Sequence, residues 1–499
     1  MSISNLISGS DVRGKAIGEG ALLTETVGYR LGQAFVRWLN NKGIAAPRIA
    51  VGRDPRLSGE ALEKAIADGM ASAGAQVTCF GLATTPAMFM ALVRPEFGGD
   101  ASIMVTASHL PWERNGYKFF LPDGGITSAT LKEILALADS DEDFTAPGGK
   151  TDTLNFLPVY TAILEEKIRS TLGGDKPLTG LHIAVDAGNG AGGFYARMLS
   201  ELGADTNGSQ FLEPDGHFPN HIPNPENEDA MNSVSRAVVQ SHADLGVIFD
   251  TDCDRAAIVD ADGREINRNR LIALISAVLL AREPGCTIVT DSVTSSGLAD
   301  FIRAHGGVHC RFKRGYRNVI DESRRLNNAG TSSPLAIETS GHAALRENYF
   351  LDDGMYLVTV LIIEAVRMQR EGKRLTSLIA DLREPVESAE IRMALTDADF
   401  RPAGERAIAA VIEKAEKTAD WHIAPDNHEG IRVSFDVNGT ANAAWFLLRL
   451  SLHDPVLPLN LESDVPGGVL VMANQLLVIL QPLDGVDVSP LKAWIERNA

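Results

Sequence analysis

The sequence predicts an α/β protein of four domains: three α/β domains with mixed sheets, followed by a C-terminal α+β domain. Two patterns lead there. Through the first three quarters of the chain, short apolar runs bounded by glycine or small residues (48–52, 77–80, 103–105, 181–186, 287–290, 335–337) alternate with stretches whose apolar residues recur at helical spacing. The last quarter instead carries two strand-like runs, 431–435 and 445–449, joined around Asn438-Gly439, the dipeptide of a tight hairpin. Length agrees, because 499 residues exceed what one ordinary core organises. Boundaries are expected to divide the chain into 1–150, 151–265, 266–384 and 385–499.

Hydrophobic residues make up 44% of the chain and charged residues 22%, which excludes global disorder. Against 46 Lys plus Arg stand 65 Asp plus Glu, a formal net charge of -19. A surface of that sign repels nucleic acid and anionic membranes, so neither is expected as a partner, and a phosphorylated ligand needs a local basic cluster. Cys79, Cys253, Cys286 and Cys310 form no C-x-x-C pair, which argues against a disulfide framework or a zinc site. No basic segment followed by an apolar one opens the chain, and no run of about 18 apolar residues occurs. A cytoplasmic location is expected, and a processed plastid protein reads the same way.

In the first domain, Ser8-Gly9-Ser10-Asp11-Val12-Arg13-Gly14 is a glycine-punctuated loop centred on an arginine. Val27, Leu31, Phe35 and Leu39 mark one helix face, and a second helix with Ser58 as N-cap carries Leu62, Ile66 and Met70 inward before Gly74 ends it. The run through Val105 then delivers Thr106-Ala107-Ser108-His109 to a strand's end, where open α/β sheets place their ligands. Ser108 is a candidate nucleophile, with His109 adjacent and Lys118 returning on Asn115-Gly116-Tyr117-Lys118. No G-x-S-x-G elbow surrounds it, which argues against an α/β-hydrolase, and a turn hydroxyl bonded to its own backbone is the plain alternative. The polar stretch 145–153 reads as a boundary.

The second domain opens with a strand and then Gly188, Gly190 and Gly193, a G-x-G-x-x-G turn with Glu213 near the acidic offset of a dinucleotide site. Pro214-Asp215-Gly216 and the long loop to Pro225 argue against that reading, since a compact βαβ unit has no room for them. Next, a strand ends at Phe249 and delivers Asp250-Thr251-Asp252-Cys253-Asp254-Arg255. Three carboxylates at alternate positions of an extended loop point the same way and suit a hard cation such as Mg²⁺. A calcium EF-hand loop is a poorer match, because Arg255 and Ala261 occupy its glycine and glutamate positions.

Two loops mark the third domain. Lys313-Arg314-Gly315-Tyr316-Arg317 is a basic cluster suited to phosphate or sugar, and Glu338-Thr339-Ser340-Gly341-His342 alternates polar groups suited to vicinal hydroxyls. A long apolar helix follows Asp352-Asp353-Gly354. In the last domain the second hairpin strand delivers Arg449-Leu450-Ser451-Leu452-His453-Asp454-Pro455, whose guanidinium can grip a phosphate bidentately.

Taken together and in order, these loops resemble those of the α-D-phosphohexomutases, the phosphoglucomutase/phosphomannomutase superfamily. The resemblance implies four domains around a central cleft. It implies Ser108 as phosphoryl carrier, with Lys118 and His109 handling protons and Arg13 and Arg255 beside it. It implies Mg²⁺ on Asp250, Asp252 and Asp254 with Ser108 as a further ligand, and a hexose 1,6-bisphosphate as primer. Glu338, Ser340 and His342 are expected on sugar hydroxyls, with Gly315 and Arg317 in the neighbouring sugar loop. Arg449 and Ser451 are expected on the phosphate that is not being transferred. There the family pattern R-x-S-G-T-x-P is broken: Leu452 stands for the glycine and His453 for the threonine. The expected activity is transfer of a phosphoryl group between the 1 and 6 positions of glucose or mannose phosphate. A catalytically weak, sugar-phosphate-binding regulator is the alternative that the broken loop suggests.

Overall fold

The computed structural model describes residues 2–95, 97–140, 142–451 and 454–499. They form two compact units, one of Met1–Leu271 and Ser340–Ser377, the other of Ile272–Thr339 and Leu378–Ala499.

The first unit holds two mixed sheets. The larger runs Ile7–Ser8, Asp11–Lys15, Arg114–Leu121, Ala101–Val105, Arg48–Arg53, Gln76–Leu82, Lys150–Thr153, with Gly124–Gly125 added to Arg114–Leu121. Arg48–Arg53 is parallel to both its neighbours, whereas Arg114–Leu121 is antiparallel to Ala101–Val105 and sets Lys118 opposite Met104. That reversal returns the lysine to the strand end from which Ser108 departs.

Leu31, Phe35 and Leu39 of the helix Glu25–Asn41 reach the core as their spacing predicts, and Thr24 caps the helix by accepting from the Val27 amide. The helix Gly59–Ser72 approaches it so closely that a Cβ on Gly69 would lie 2.0 Å from the Tyr29 carbonyl oxygen. Ser58 precedes this second helix but makes no capping bond. Its hydroxyl accepts instead from Asn115 Nδ2 at 2.9 Å, tying the Asn115–Lys118 segment to the helix start. The stretch expected to be a bare boundary contains the strand Lys150–Thr153, which extends the first sheet in parallel with every side chain exposed.

In the second sheet Ile183–Asp186 is parallel to Leu245–Phe249, and Ala256–Asp260 and Glu265–Ile266 follow antiparallel. The glycine-rich turn after Asp186 is no nucleotide cradle. The amides of Asn189, Gly190 and Ala191 donate to the carbonyls of Phe211, Ala187 and Thr251. The Asp186 carboxylate takes the Gly188 amide, Gln210 and His221. A pyrophosphate there meets a carboxylate rather than free N–H groups. The helix Gly354–Arg370, capped by Asp353 and apolar on nearly every side, packs against this sheet and the helix Leu157–Leu172.

The second unit contains the parallel strands Thr287–Thr290, Val308–Arg311 and Leu335–Ile337. It also contains an antiparallel sheet in the order Glu387–Ala394, Val456–Ser463, Thr440–Leu448, Ile431–Val437, Trp421–Ile423. The helices Arg401–Glu416, Gly468–Leu480 and Ser489–Asn498 share one core with that sheet, built on residues such as Phe446, Leu459 and Leu476. Asn438 and Gly439, with φ of 51° and 81°, make the predicted two-residue turn. The three α/β domains with mixed sheets and the α+β domain are thus those the sequence predicts. Among the described residues no helix is long and apolar enough to cross a membrane.

Candidate active site

Ser108 is fully buried and held at φ 53°, a left-handed conformation that costs a non-glycine residue on the order of 1–3 kcal/mol. A buried scaffold imposes it. Thr106 Oγ1 accepts from the Ser108 amide at 2.8 Å and donates to Asp54 Oδ2 at 2.7 Å. Asp54 pairs with Arg56 Nε at 3.1 Å, and the rest of that guanidinium donates to the carbonyls of Ser108, Leu110, Pro111 and Arg114. One buried arginine therefore clamps the whole loop after the strand. Sequence reasoning missed Asp54 and Arg56; the available signal was a polar Arg53-Asp54-Pro55-Arg56 cluster at another strand's end.

The same unit brings the acidic loop to this serine. Ser108 Oγ lies 3.1 Å from Asp250 Oδ2 and 3.3 Å from His109 Nδ1. Asp250, Asp252 and Asp254 are all buried and offer ligand oxygens within 4.8 Å of one another. Burial, then Asp254 and Asp252, push the Asp250 carboxyl well above its ordinary range. Asp252 Oδ1 and Asp254 Oδ1 are buried without a hydrogen-bond partner. Orphaned buried carboxylate oxygens crowded by like charges fit an oxygen-bound divalent cation.

Lys118 Nζ sits 3.0 Å from Asp252 Oδ2 and 2.5 Å from Asp254 Oδ2. Burial favours its neutral form, but the two aspartates outweigh burial and hold it charged. Lys118 is thus held as a cation between two carboxylates, which suits it to donate a proton or place charge beside the triad. His109 is the opposite case, since burial and then Arg255 and Arg13 push its pKa down to about 2 and leave the ring neutral. Arg13 Nη2 is held by Asp11 at 2.8 Å, and its Nη1 reaches the Ala107 carbonyl at 3.4 Å, next to Ser108. Arg255 Nε lies 3.9 Å from Asp250 and 4.0 Å from Asp254.

His342 also belongs to this unit. Its Nε2 accepts from Arg255 Nε at 2.9 Å, and its Nδ1 lies 2.6 Å from Asp352 Oδ2. Through Nε2 the ring orients Arg255. Asp352, read from the sequence only as a helix start, completes this relay. Ser340 is buried in the same unit.

The second unit gathers the other expected residues. Glu338 is buried and accepts the Gly315 amide at 2.6 Å, joining two of the predicted loops. Arg317 turns elsewhere, pairing with Asp321 at 3.2 Å along its own helix. Arg449 is buried with its Nε lacking a hydrogen-bond partner; burial lowers its pKa, Glu429 raises it and the neighbouring Arg314 lowers it. Ser451 Oγ accepts from the Asp454 amide at 3.3 Å. Leu452 and His453, the departures from the pattern, lie outside the described residues.

The class so defined is a multidomain α/β protein with a buried serine facing a carboxylate triad. Three family models match the chain in succession: phosphoglucomutase/phosphomannomutase α/β/α domain I over residues 5–144, domain II over 158–263 and domain III over 267–386. A phosphomannomutase/phosphoglucomutase of Pseudomonas aeruginosa is 31% identical over 481 residues, covering 94% of this chain and 95% of its own. A phosphoglucomutase of Neisseria gonorrhoeae is 29% identical over 473 residues, with the same shares. The crystal structure of a phosphoglucomutase/phosphomannomutase family protein from Burkholderia thailandensis matches with a TM-score of 0.79 at 27% identity, over 97% of this chain and 99% of that one. The chain belongs to the phosphoglucomutase/phosphomannomutase family.

Proposed function

We propose that the protein is a phosphohexomutase, moving a phosphoryl group between the 1 and 6 positions of glucose or mannose phosphate through a phosphoserine and a bisphosphorylated sugar. The observation that carries this reading is the buried Ser108 hydroxyl 3.1 Å from Asp250, beside a triad in which Asp252 Oδ1 and Asp254 Oδ1 are buried without partners. Hydroxyls on opposite sides of a hexose are too far apart for direct transfer, so a carrier is needed. Ser108 Oγ forms the new bond to phosphorus, its proton leaves, and the sugar oxygen that loses phosphorus takes up a proton. His109 Nδ1, 3.3 Å from Oγ, is the ring nitrogen placed to relay the serine proton; a ring this weakly basic passes the proton on rather than holding it. Asp250, Asp252 and Asp254, with Ser108, would hold Mg²⁺, which would supply positive charge to offset that on the transferring group. Arg13 and Arg255 add positive charge beside the serine, and His342 with Asp352 fixes the Arg255 fork. Glu338, Gly315 and Ser340 recognise the sugar, and Arg449, Ser451 and His453 grip the other phosphate.

The test is a mutase assay on glucose 1-phosphate and mannose 1-phosphate with hexose 1,6-bisphosphate as primer and Mg²⁺ present. Turnover that Ser108→Ala abolishes supports the mutase. Binding of the sugar phosphate without turnover of either substrate favours the regulator suggested by Leu452 and His453.

A further inference from the structure

We infer that Thr85 is a positioning residue for the metal, fixing which oxygen of Asp252 faces the cation. Thr85 begins the helix Thr85–Val93 and is buried, as is Asp252. Thr84 caps that helix by accepting from the Ala87 amide, and Pro86 stiffens its first turn, so the position of Thr85 is set by its own element. From there it makes two bonds to one residue. Its amide donates to the Asp252 carbonyl at 2.9 Å, and its hydroxyl donates to Asp252 Oδ2 at 2.6 Å.

Lys118 Nζ donates to the same Oδ2 at 3.0 Å, while Oδ1 is buried with no hydrogen-bond partner. With Oδ2 occupied by two donors, the carboxylate cannot flip without breaking both bonds. Oδ1 is thus the oxygen left to coordinate, and its orientation is settled before any ion arrives. A hydroxyl suits this position because it donates one hydrogen bond without adding a charge that would repel the cation. Partners of this kind, which orient a ligand without touching the metal, are worth about 10–100-fold in metal affinity. The backbone bond also ties the acidic loop to the domain that carries Ser108, because Thr85 and Ser108 both leave strands of the first sheet.

This inference rests on the proposed reading of the triad as a metal site, and the experiment separates the two. Mn²⁺ affinity is measured by electron paramagnetic resonance on the full-length protein and on Thr85→Val, Thr85→Ser and Asp252→Asn, alongside KM for the hexose phosphate at saturating Mg²⁺. Thr85→Val keeps the branched shape and removes the donor; it is expected to weaken Mn²⁺ binding about tenfold or more, with KM unchanged, while Thr85→Ser stays within about twofold of the native protein. A Thr85→Val affinity equal to the native one, with Asp252→Asn strongly weakened, overturns the role of Thr85 and leaves the metal site standing. Unchanged affinity in Asp252→Asn overturns both. Should Thr85→Val not fold, Thr85→Ala is measured in its place, and loss of folding in both makes Thr85 part of the scaffold and overturns the assignment.

Discussion

Arg56 shows how a residue distant in sequence governs the chemistry. Its guanidinium serves a buried carboxylate and four loop carbonyls, and its side chain, like that of Asp54, is fully buried. Removing one partner of such a pair leaves a charge stranded in the interior. Arg56→Met is therefore expected to lower unfolding free energy by about 3–5 kcal/mol in urea titration. The doubly altered Asp54→Leu, Arg56→Met protein is expected to recover part of that stability but not activity, because the loop carbonyls stay unsatisfied and Ser108 loses its imposed backbone. Ser108, Lys118 and the three aspartates were legible in the sequence because each lies in a short segment whose spacing already expresses the chemistry. Asp54, Arg56 and Thr85 were not, since they act on residues 52 to 167 positions away, and the polar cluster at 53–56 does not itself say what it serves. The contact of His342 with Arg255 was not legible for the same reason: the two are 87 positions apart.

At the scale of elements, two escaped the sequence because they carry no periodic pattern. Thr85–Val93 is buried over nearly its whole length, so its apolar residues show no helical period. The strand Lys150–Thr153 is exposed throughout, so no apolar alternation marks it. The turn after Asp186 makes a pH-dependent prediction. His221 Nε2 lies 3.0 Å from Asp186 Oδ1. Burial lowers the His221 pKa, but the hydrogen bond and charge of Asp186 outweigh it and raise the value above 6.5. A histidine with a raised folded pKa contributes stability that is fully present below its unfolded pKa and lost as pH rises through the folded one. The stability difference between the native protein and His221→Gln, followed by urea unfolding between about pH 5 and 8, is expected to be largest at the acid end and to shrink with rising pH. A difference that is flat with pH shows that His221 serves Asp186 as a neutral donor.

For the whole molecule, the alternation of sheet and helix patterns sufficed to foresee three α/β domains and a terminal α+β domain, because binary patterning is a property of every segment. A cation bound only by the folded protein must stabilise it by mass action. Mg²⁺ is expected to raise the melting temperature as its concentration rises, with about 2.7 kcal/mol of stabilisation at roughly 100 times Kd, and to leave Asp250→Asn unaffected. An equal response in both proteins, followed by calorimetry, removes the triad from metal binding. The central claim is that Ser108 carries the phosphoryl group, and intact-mass and peptide-mapping mass spectrometry after incubation with a hexose 1,6-bisphosphate tests it most directly. One added phosphoryl group on the Ser108 peptide, released again by hexose monophosphate and absent in Ser108→Ala, is the predicted result. No addition, or addition at another residue that persists in Ser108→Ala, contradicts it.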